Sequence, residues 1–126
     1  MRREELFEYA RKTWGILPDH PFRQFPDCAV LRHGADGKWF AVLMPVAFEK
    51  LDSSKSGRCG AVDVVNLKCQ PPLVTMLLER EGGFPAYHMN RRHWVSIVLD
   101  STFPGEEVLE LLGLSWKLTV GKRRSC

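Results

Sequence analysis

The stretch that decides the fold is CAVLRHGADGKWFAVLM, residues 28–44. Its two β-rich runs, Cys28 to His33 and Lys38 to Met44, flank the turn sequence Gly34-Ala35-Asp36-Gly37. Two such runs around a short Gly/Asp turn predict a β-hairpin, because glycine and aspartate accept the backbone angles of tight turns. Pro45 follows directly and is predicted to end the second strand.

A helix is predicted upstream of this hairpin. Apolar Leu6, Phe7, Ala10 and Trp14 recur at helical spacing, with charged residues between them. Gly15 is predicted to stop the helix. The chain therefore opens with an amphipathic helix that can cover one face of a sheet.

Four further elements are predicted downstream: a strand over 61–68, a helix over 73–80, a strand within 87–100 and a helix from Pro104. In the first of these strands, Val62 and Val64 face one side and Val65 and Leu67 the other. Residues 50–60 are predicted to be an exposed loop or hairpin tip, and 115–120 fits either strand or helix.

This order of elements predicts an α+β fold. The strands follow one another through turns, so the sheet is expected to be mainly antiparallel, with helices on one face. The other face is then partly open, and a partner is expected there. No repeat or linker divides residues 1–126, so we predict a single domain.

Composition narrows the class of protein. The 126 residues are 44% hydrophobic and 26% charged, as in ordinary globular domains, which excludes wholesale disorder. Eighteen Lys and Arg against fifteen Asp and Glu give a net charge of +3. That balance permits a nucleic-acid partner without requiring one.

The cysteines and the apolar runs predict a cytoplasmic protein with reduced thiols. Cys28, Cys59, Cys69 and Cys126 are unevenly spaced, and the first residues lack the apolar stretch of a secretion signal. The longest apolar run, Trp39 to Val46, is far shorter than the roughly 20 residues that cross a bilayer. No membrane association is expected.

One stretch, Tyr87-His88-Met89-Asn90-Arg91-Arg92-His93-Trp94, differs in composition from the predicted scaffold. Guanidinium groups suit phosphates and aromatic rings can stack on bases, which favours nucleic-acid contact. The alternative is structural: Tyr87 and Trp94 pack in the core while His88 and Asn90 form hydrogen bonds in a tight bend. Residue types alone leave both interpretations open.

The same stretch closely resembles the Tyr-His-Met-Asn-Lys-Arg-His-Trp signature of the MmcQ/YjbR family, with Arg91 in place of the commoner lysine. Residues 3–6, 37–41, 67–69 and 115–118 also resemble segments of that family. The resemblance implies a frataxin-like (CyaY-like) fold, a closing helix around Ser115, and DNA binding through a double-wing motif. Residues 46–60 depart from the family as a longer insertion, which contains Lys50, Lys55 and Arg58 against Glu49 and Asp52.

The predicted function is non-enzymatic binding of double-stranded DNA by charge and shape. The predicted phosphate contacts are Lys68, Arg91, Arg92, Lys122, Arg123 and Arg124, and no acidic residue follows Glu110. Tyr87 and Trp94 would anchor the signature, which includes Met89, while His88, Asn90 and His93 would shape it. No helix-turn-helix signature is present, so binding is expected to be weak, salt-dependent and without sequence preference.

Two other classes of function remain as alternatives. One is a protein- or ligand-binding module with a pocket at the His88–Trp94 signature, and the other is an enzyme of unknown reaction. The enzyme reading includes a cysteine nucleophile, Cys59 or Cys69, paired with His88. No cofactor or metal is predicted, because His88 and His93 are five apart and the cysteines lack Cys-x-x-Cys spacing. The few glutamates near the start are too few for an iron-binding acidic ridge.

Overall fold

A computed structural model describes residues 1–52 and 57–121. The elements within those ranges are α1 (Arg3–Trp14), β1 (Ala29–Arg32), β2 (Trp39–Ala47), α2 (Phe48–Leu51), β3 (Ala61–Lys68), α3 (Pro71–Leu77), β4 (Gly83–Pro85), β5 (Trp94–Val98) and α4 (Gly105–Thr119). The strands form one sheet in the order β1-β2-β3-β5-β4, and each neighbouring pair is antiparallel. The predicted α+β fold is confirmed. The short strand β4 was not predicted.

The β1–β2 hairpin forms as predicted, with Ala29 opposite Leu43 and the His33 N–H bonded to the Lys38 carbonyl at 2.9 Å. Pro45 does not end β2, so that prediction is wrong. The strand continues to Ala47, and Pro45 lies opposite Asp63 of β3. Within residues 1–52 and 57–121, β2 has no partner on the β1 side beyond Leu43, and such an edge position tolerates proline.

One face of the sheet is covered by helices. Leu6 and Ala10 of α1, Leu112 of α4, and Val65 and Leu67 of β3 are fully buried in one continuous apolar core. Helix α3 adds Val74 and Leu77 to the same core. This face supplies most of the apolar burial that stabilises the fold.

Helix α4 runs without interruption through Ser115 to Thr119, which settles the choice between helix and strand for this segment. The Ser115 hydroxyl is buried, donates to the Phe40 carbonyl at 2.6 Å and accepts from the Lys68 N–H at 2.9 Å. These bonds tie the end of α4 to the ends of β2 and β3. A helix is compatible with them because the polar side chain finds its partners in the sheet.

The opposite, open face carries a smaller apolar cluster. The alternation predicted for β3 is confirmed: Val62 and Val64 join this cluster, whereas Val65 and Leu67 belong to the helix-covered core. The predicted loop over 50–60 begins differently, because α2 extends to Leu51, whose side chain is buried in the cluster together with that of Phe48. Lys55 lies outside the described residues.

Candidate nucleic-acid interface

All of the signature except Trp94, which begins β5, lies in a loop between β4 and β5, residues 86–93. This loop lies against the open face. The Tyr87 N–H donates to the Ser96 hydroxyl at 2.9 Å, and that hydroxyl donates to the Asn66 side-chain oxygen. The Asn66 amide donates in turn to the Val42 carbonyl at 3.3 Å. Because Asn66 and Ser96 are fully buried, these bonds satisfy polar groups and hold the loop on the sheet.

Asn90 shapes the bend in this loop. Its side-chain oxygen accepts from the N–H groups of Arg92, at 2.8 Å, and His93, at 3.2 Å. The His93 carbonyl then accepts from the Cys69 N–H at 2.9 Å, which joins the loop to the chain just after β3. The bend leaves the side chains of Arg91 and Arg92 exposed.

His88 occupies the crest of the loop and has a φ of 62°, the left-handed region that non-glycine residues rarely adopt. Its side chain is exposed, and its ring centroid lies 4.1 Å from that of Tyr87. Tyr87 is itself half-buried against the open-face cluster. Histidine is, with Asn and Asp, one of the non-glycine residues most often found in this region, so the bend is formed with an exposed imidazole at its surface.

The fold brings three of the six predicted phosphate contacts to one end of the sheet. Lys68, the last residue of β3, lies opposite Trp94, the first residue of β5, and Arg91 and Arg92 lie three and two residues before that strand begins. Within residues 1–52 and 57–121, none of these three cations takes part in an ion pair, whereas Arg3, Arg11, Arg32 and Arg80 all do. The other three contacts, Lys122, Arg123 and Arg124, lie outside the described residues.

Two residues that the sequence analysis did not select extend this site. Val30 pairs with Val42, which pairs in turn with Asn66 on the open face. Arg32 lies two positions after Val30 in β1 and therefore faces the same side. Trp39 pairs with Arg32 across a β-bulge, so it faces the open side as well. The register of β2 with β3 ends at Ala41 opposite Leu67, just before Trp39 and Lys68. The pairs Arg32–Trp39 and Lys68–Trp94 therefore lie side by side at this end of the sheet, and we call these four residues the row. The hairpin alone could have suggested its first half, but joining it to the second half required the pairing of β2 with β3.

A groove also crosses the open face beside the signature. It has a volume of about 940 Å³, and its lining includes Phe48 and Lys50 of α2, Phe84 of β4, and Tyr87 and Arg91 of the signature. The pocket alternative was expected at the His88–Trp94 stretch. Of that stretch, Arg91 lines the groove, while His88 and Asn90 do not.

The titratable groups bear on the enzyme alternative. Burial raises the pKa of the Cys69 thiol to about 11, which keeps it protonated at neutral pH and argues against a nucleophilic role. In the described part of the chain, no three His, Cys, Asp or Glu side chains lie close enough together to hold a metal ion. No helix in the same ranges is long and apolar enough to cross a membrane.

The fold and the open-face site define a small antiparallel α+β domain with a signature loop fixed to one sheet face. The family model YjbR matches residues 11–118, and the chain belongs to the YjbR family. YyaQ, an uncharacterised protein of Bacillus subtilis strain 168, is 38% identical over 119 residues, covering 94% of this chain and 98% of YyaQ. The uncharacterised YjbR of Escherichia coli strain K12 is 30% identical over 57 residues, covering 44% of this chain and 48% of that protein.

Solved structures have the same fold. A crystal structure of a protein from Pseudomonas syringae superposes with a TM-score of 0.88 at 40% identity, covering 95% of this chain and all of that one. A Deinococcus radiodurans protein with the family-model domain DUF419 superposes with a TM-score of 0.65 at 23% identity, covering 92% of this chain and 76% of that one. The second likeness concerns the fold alone.

Proposed function

We propose that this protein is a non-enzymatic DNA-binding domain that contacts the phosphate backbone through Lys68, Arg91 and Arg92. The observation that supports the proposal is the exposure of Arg91 and Arg92, without ion pairs among the described residues, at the sheet end where Lys68 lies. A guanidinium group with no carboxylate partner keeps its full set of donors for a phosphate. Lys122, Arg123 and Arg124 are included in the proposal from the sequence alone.

The expected binding is electrostatic and weakly selective. Helices α1 and α4 pack their apolar sides on the sheet, which does not favour insertion of either into a major groove. Three or four phosphate contacts correspond to a slope of about −3 to −4 in a plot of log affinity against log salt concentration. In the double-wing arrangement implied by the family resemblance, loop 86–93 is one candidate wing. A cytoplasmic location remains part of this proposal.

Fluorescence anisotropy with a labelled random-sequence duplex tests the proposal, at about 50 mM and about 200 mM salt. We expect binding at the lower concentration that weakens at the higher one. The double variant Arg91→Ala with Arg92→Ala should lower affinity and reduce the salt slope by about 2.

The matched control removes two other exposed cations, by Arg2→Ala at the N-cap of α1 with Lys12→Ala within α1. Both carry the same charge change, but these side chains lie on the helical side, beside Glu4 and Glu8. Equal losses in the two double variants would contradict a localised site. Absence of any salt-sensitive binding would contradict the function itself.

The groove favours a second candidate, a ligand-binding module. Phe48 and Phe84 meet edge to face there with ring centroids 5.5 Å apart, and Lys50 and Arg91 lie on its walls. Glu79 and Glu81 line the groove as well, so it suits a ligand with an apolar body and charged groups of both signs. If neither duplex nor single-stranded DNA binds, this groove becomes the leading candidate site.

A further inference from the structure

We propose that the nucleic acid bound at this site is single-stranded, with bases stacked on Trp39 and Trp94 on either side of Lys68. This inference rests on the proposed function and specifies its substrate. It begins from the row of side chains across the open face, in which cations alternate with tryptophans: Arg32, Trp39, Lys68, Trp94.

The two tryptophans of this row differ from the other two in the chain. Trp14 and Trp116 stack on each other in the helical layer, with ring centroids 5.4 Å apart, and both pack against the covered core. Trp39 and Trp94 belong to neither apolar cluster and remain partly exposed. They are thus the tryptophans whose rings a base can approach from the open face.

The distance between Trp39 and Trp94 suits bases of a single strand that are unstacked from one another. Trp39 and Trp94 begin strands that flank β3, and β2 is no longer paired with β3 at Trp39, so a minimum of two strand spacings, about 10 Å, separates them. Phe22 meets the Trp39 ring edge to face at 5.8 Å and fixes its orientation. Aromatic rings fixed on a sheet surface are the platform on which unpaired bases stack in several single-strand-binding folds.

The charge around the row complements a phosphate backbone. Lys68 lies between the tryptophans, and residues 82–99, which include Arg91 and Arg92, contain no Asp or Glu. Asp19 approaches this end of the sheet, but it is bonded to Arg32 at 2.6 Å. Asp36 lies in the β1–β2 turn, where it accepts from the Lys38 N–H.

Stacking on tryptophan separates this proposal from backbone contact alone. In a duplex each base face is covered by its neighbours, so a protein reaches it only by unstacking the pair. In a single strand the faces are free, and each base stacked on an aromatic ring adds affinity with little sequence preference. The row therefore favours single strands, whereas Arg91 and Arg92 serve either form.

The test compares a labelled 15-nucleotide thymidine single strand with a random-sequence duplex of the same length by anisotropy, at one salt concentration. We expect the single strand to bind at least about fivefold more tightly, the gain of one stacked base. Trp94→Leu and Trp39→Leu should each lower single-strand affinity by about fivefold to a hundredfold and leave duplex affinity within about twofold. Trp94→Phe retains a ring and should keep most of the single-strand affinity.

A second measurement needs no variant. Photo-crosslinking of the full chain to a single strand that carries 5-iodouracil should attach the base to peptides containing Trp39 or Trp94. Duplex binding as tight as single-strand binding, or crosslinks confined to other peptides, would overturn the inference and leave the proposed function standing. Failure of both nucleic acids to bind would overturn the inference and the proposed function together.

Discussion

The two faces of the sheet are built from alternate residues of the same strands, yet they differ in what covers them. On the helical face, Val65 and Leu67 pack into one core with α1, α3 and α4. On the open face, Val64 joins a smaller cluster, Asn66 forms hydrogen bonds under the signature loop, and Lys68 reaches the sheet end. One face is committed to stability, and the other carries the polar and charged groups that a partner can contact.

The strongest test of this contrast uses two neighbouring residues of β3. Leu67→Ala removes a fully buried side chain and should lower the free energy of unfolding by about 2–5 kcal/mol. Lys68→Ala, one residue further, should change it by about 0.5 kcal/mol or less and lower the affinity for nucleic acid instead. Urea denaturation and anisotropy on both variants measure the two effects, and a large stability loss in Lys68→Ala would break the distinction between the faces.

A second test concerns the buried hydrogen bonds that hold the signature loop. Asn66→Ala and Ser96→Ala each leave a buried polar partner unsatisfied, so each should cost about 1–3 kcal/mol of unfolding free energy. The double variant should cost less than the sum, because both partners are then gone.

Hydrogen exchange adds a local measurement to this cycle. The Tyr87 amide donates to Ser96 and should exchange faster in Ser96→Ala. If the stability losses of the two single variants add up to that of the double variant, and the exchange rate of the Tyr87 amide is unchanged, the loop is held by other contacts.

The smallest expected effect is a pH dependence on the covered side. His33 is buried, and its Nε2 lies 2.8 Å from the Thr119 hydroxyl. Burial lowers the pKa of its imidazole, Asp36 opposes that shift and Lys38 adds to it. The unfolded chain then binds the proton more readily, so this residue should reduce stability as the pH falls through about 6.5. Urea denaturation at about pH 5 and about pH 7.5, on either side of that pKa, gives the change in the free energy of unfolding with pH. This change should be smaller in His33→Gln than in the native protein, and an equal change would contradict the assignment.

The hairpin and the first helix follow from local sequence because their signals are local. The turn at Gly34 to Gly37 is favoured by the residue types of the turn itself. Gly15 ends α1 in the left-handed conformation that glycine adopts at little cost. Pro45 shows the limit of such signals. Proline is excluded from a strand only where its missing N–H is needed, and that depends on where β1 ends.

Part of the candidate site could be predicted from local sequence and part could not. The sequence of residues 87–94 indicates its residue types, and Asn90 shapes the bend through hydrogen bonds that its residue type suggested. Trp39 and Arg32 could not be assigned to it, because they lie more than 50 positions from Trp94 and reach it only through strand pairing.

By itself, the sequence determined the periodicity of the elements, the antiparallel α+β class and the residue types of the signature, since each depends on neighbours a few positions apart. The residue pattern left 115–120 open and the family resemblance implied a helix there. The tertiary structure shows that helix and the reason it is tolerated, because Ser115 is satisfied by the Phe40 carbonyl and the Lys68 amide. It also placed the cations whose positions the net charge of +3 could not show. Lys68, Arg91 and Arg92 lie at one sheet end beside two tryptophans, since β3 and β5 pair there across a long stretch of chain.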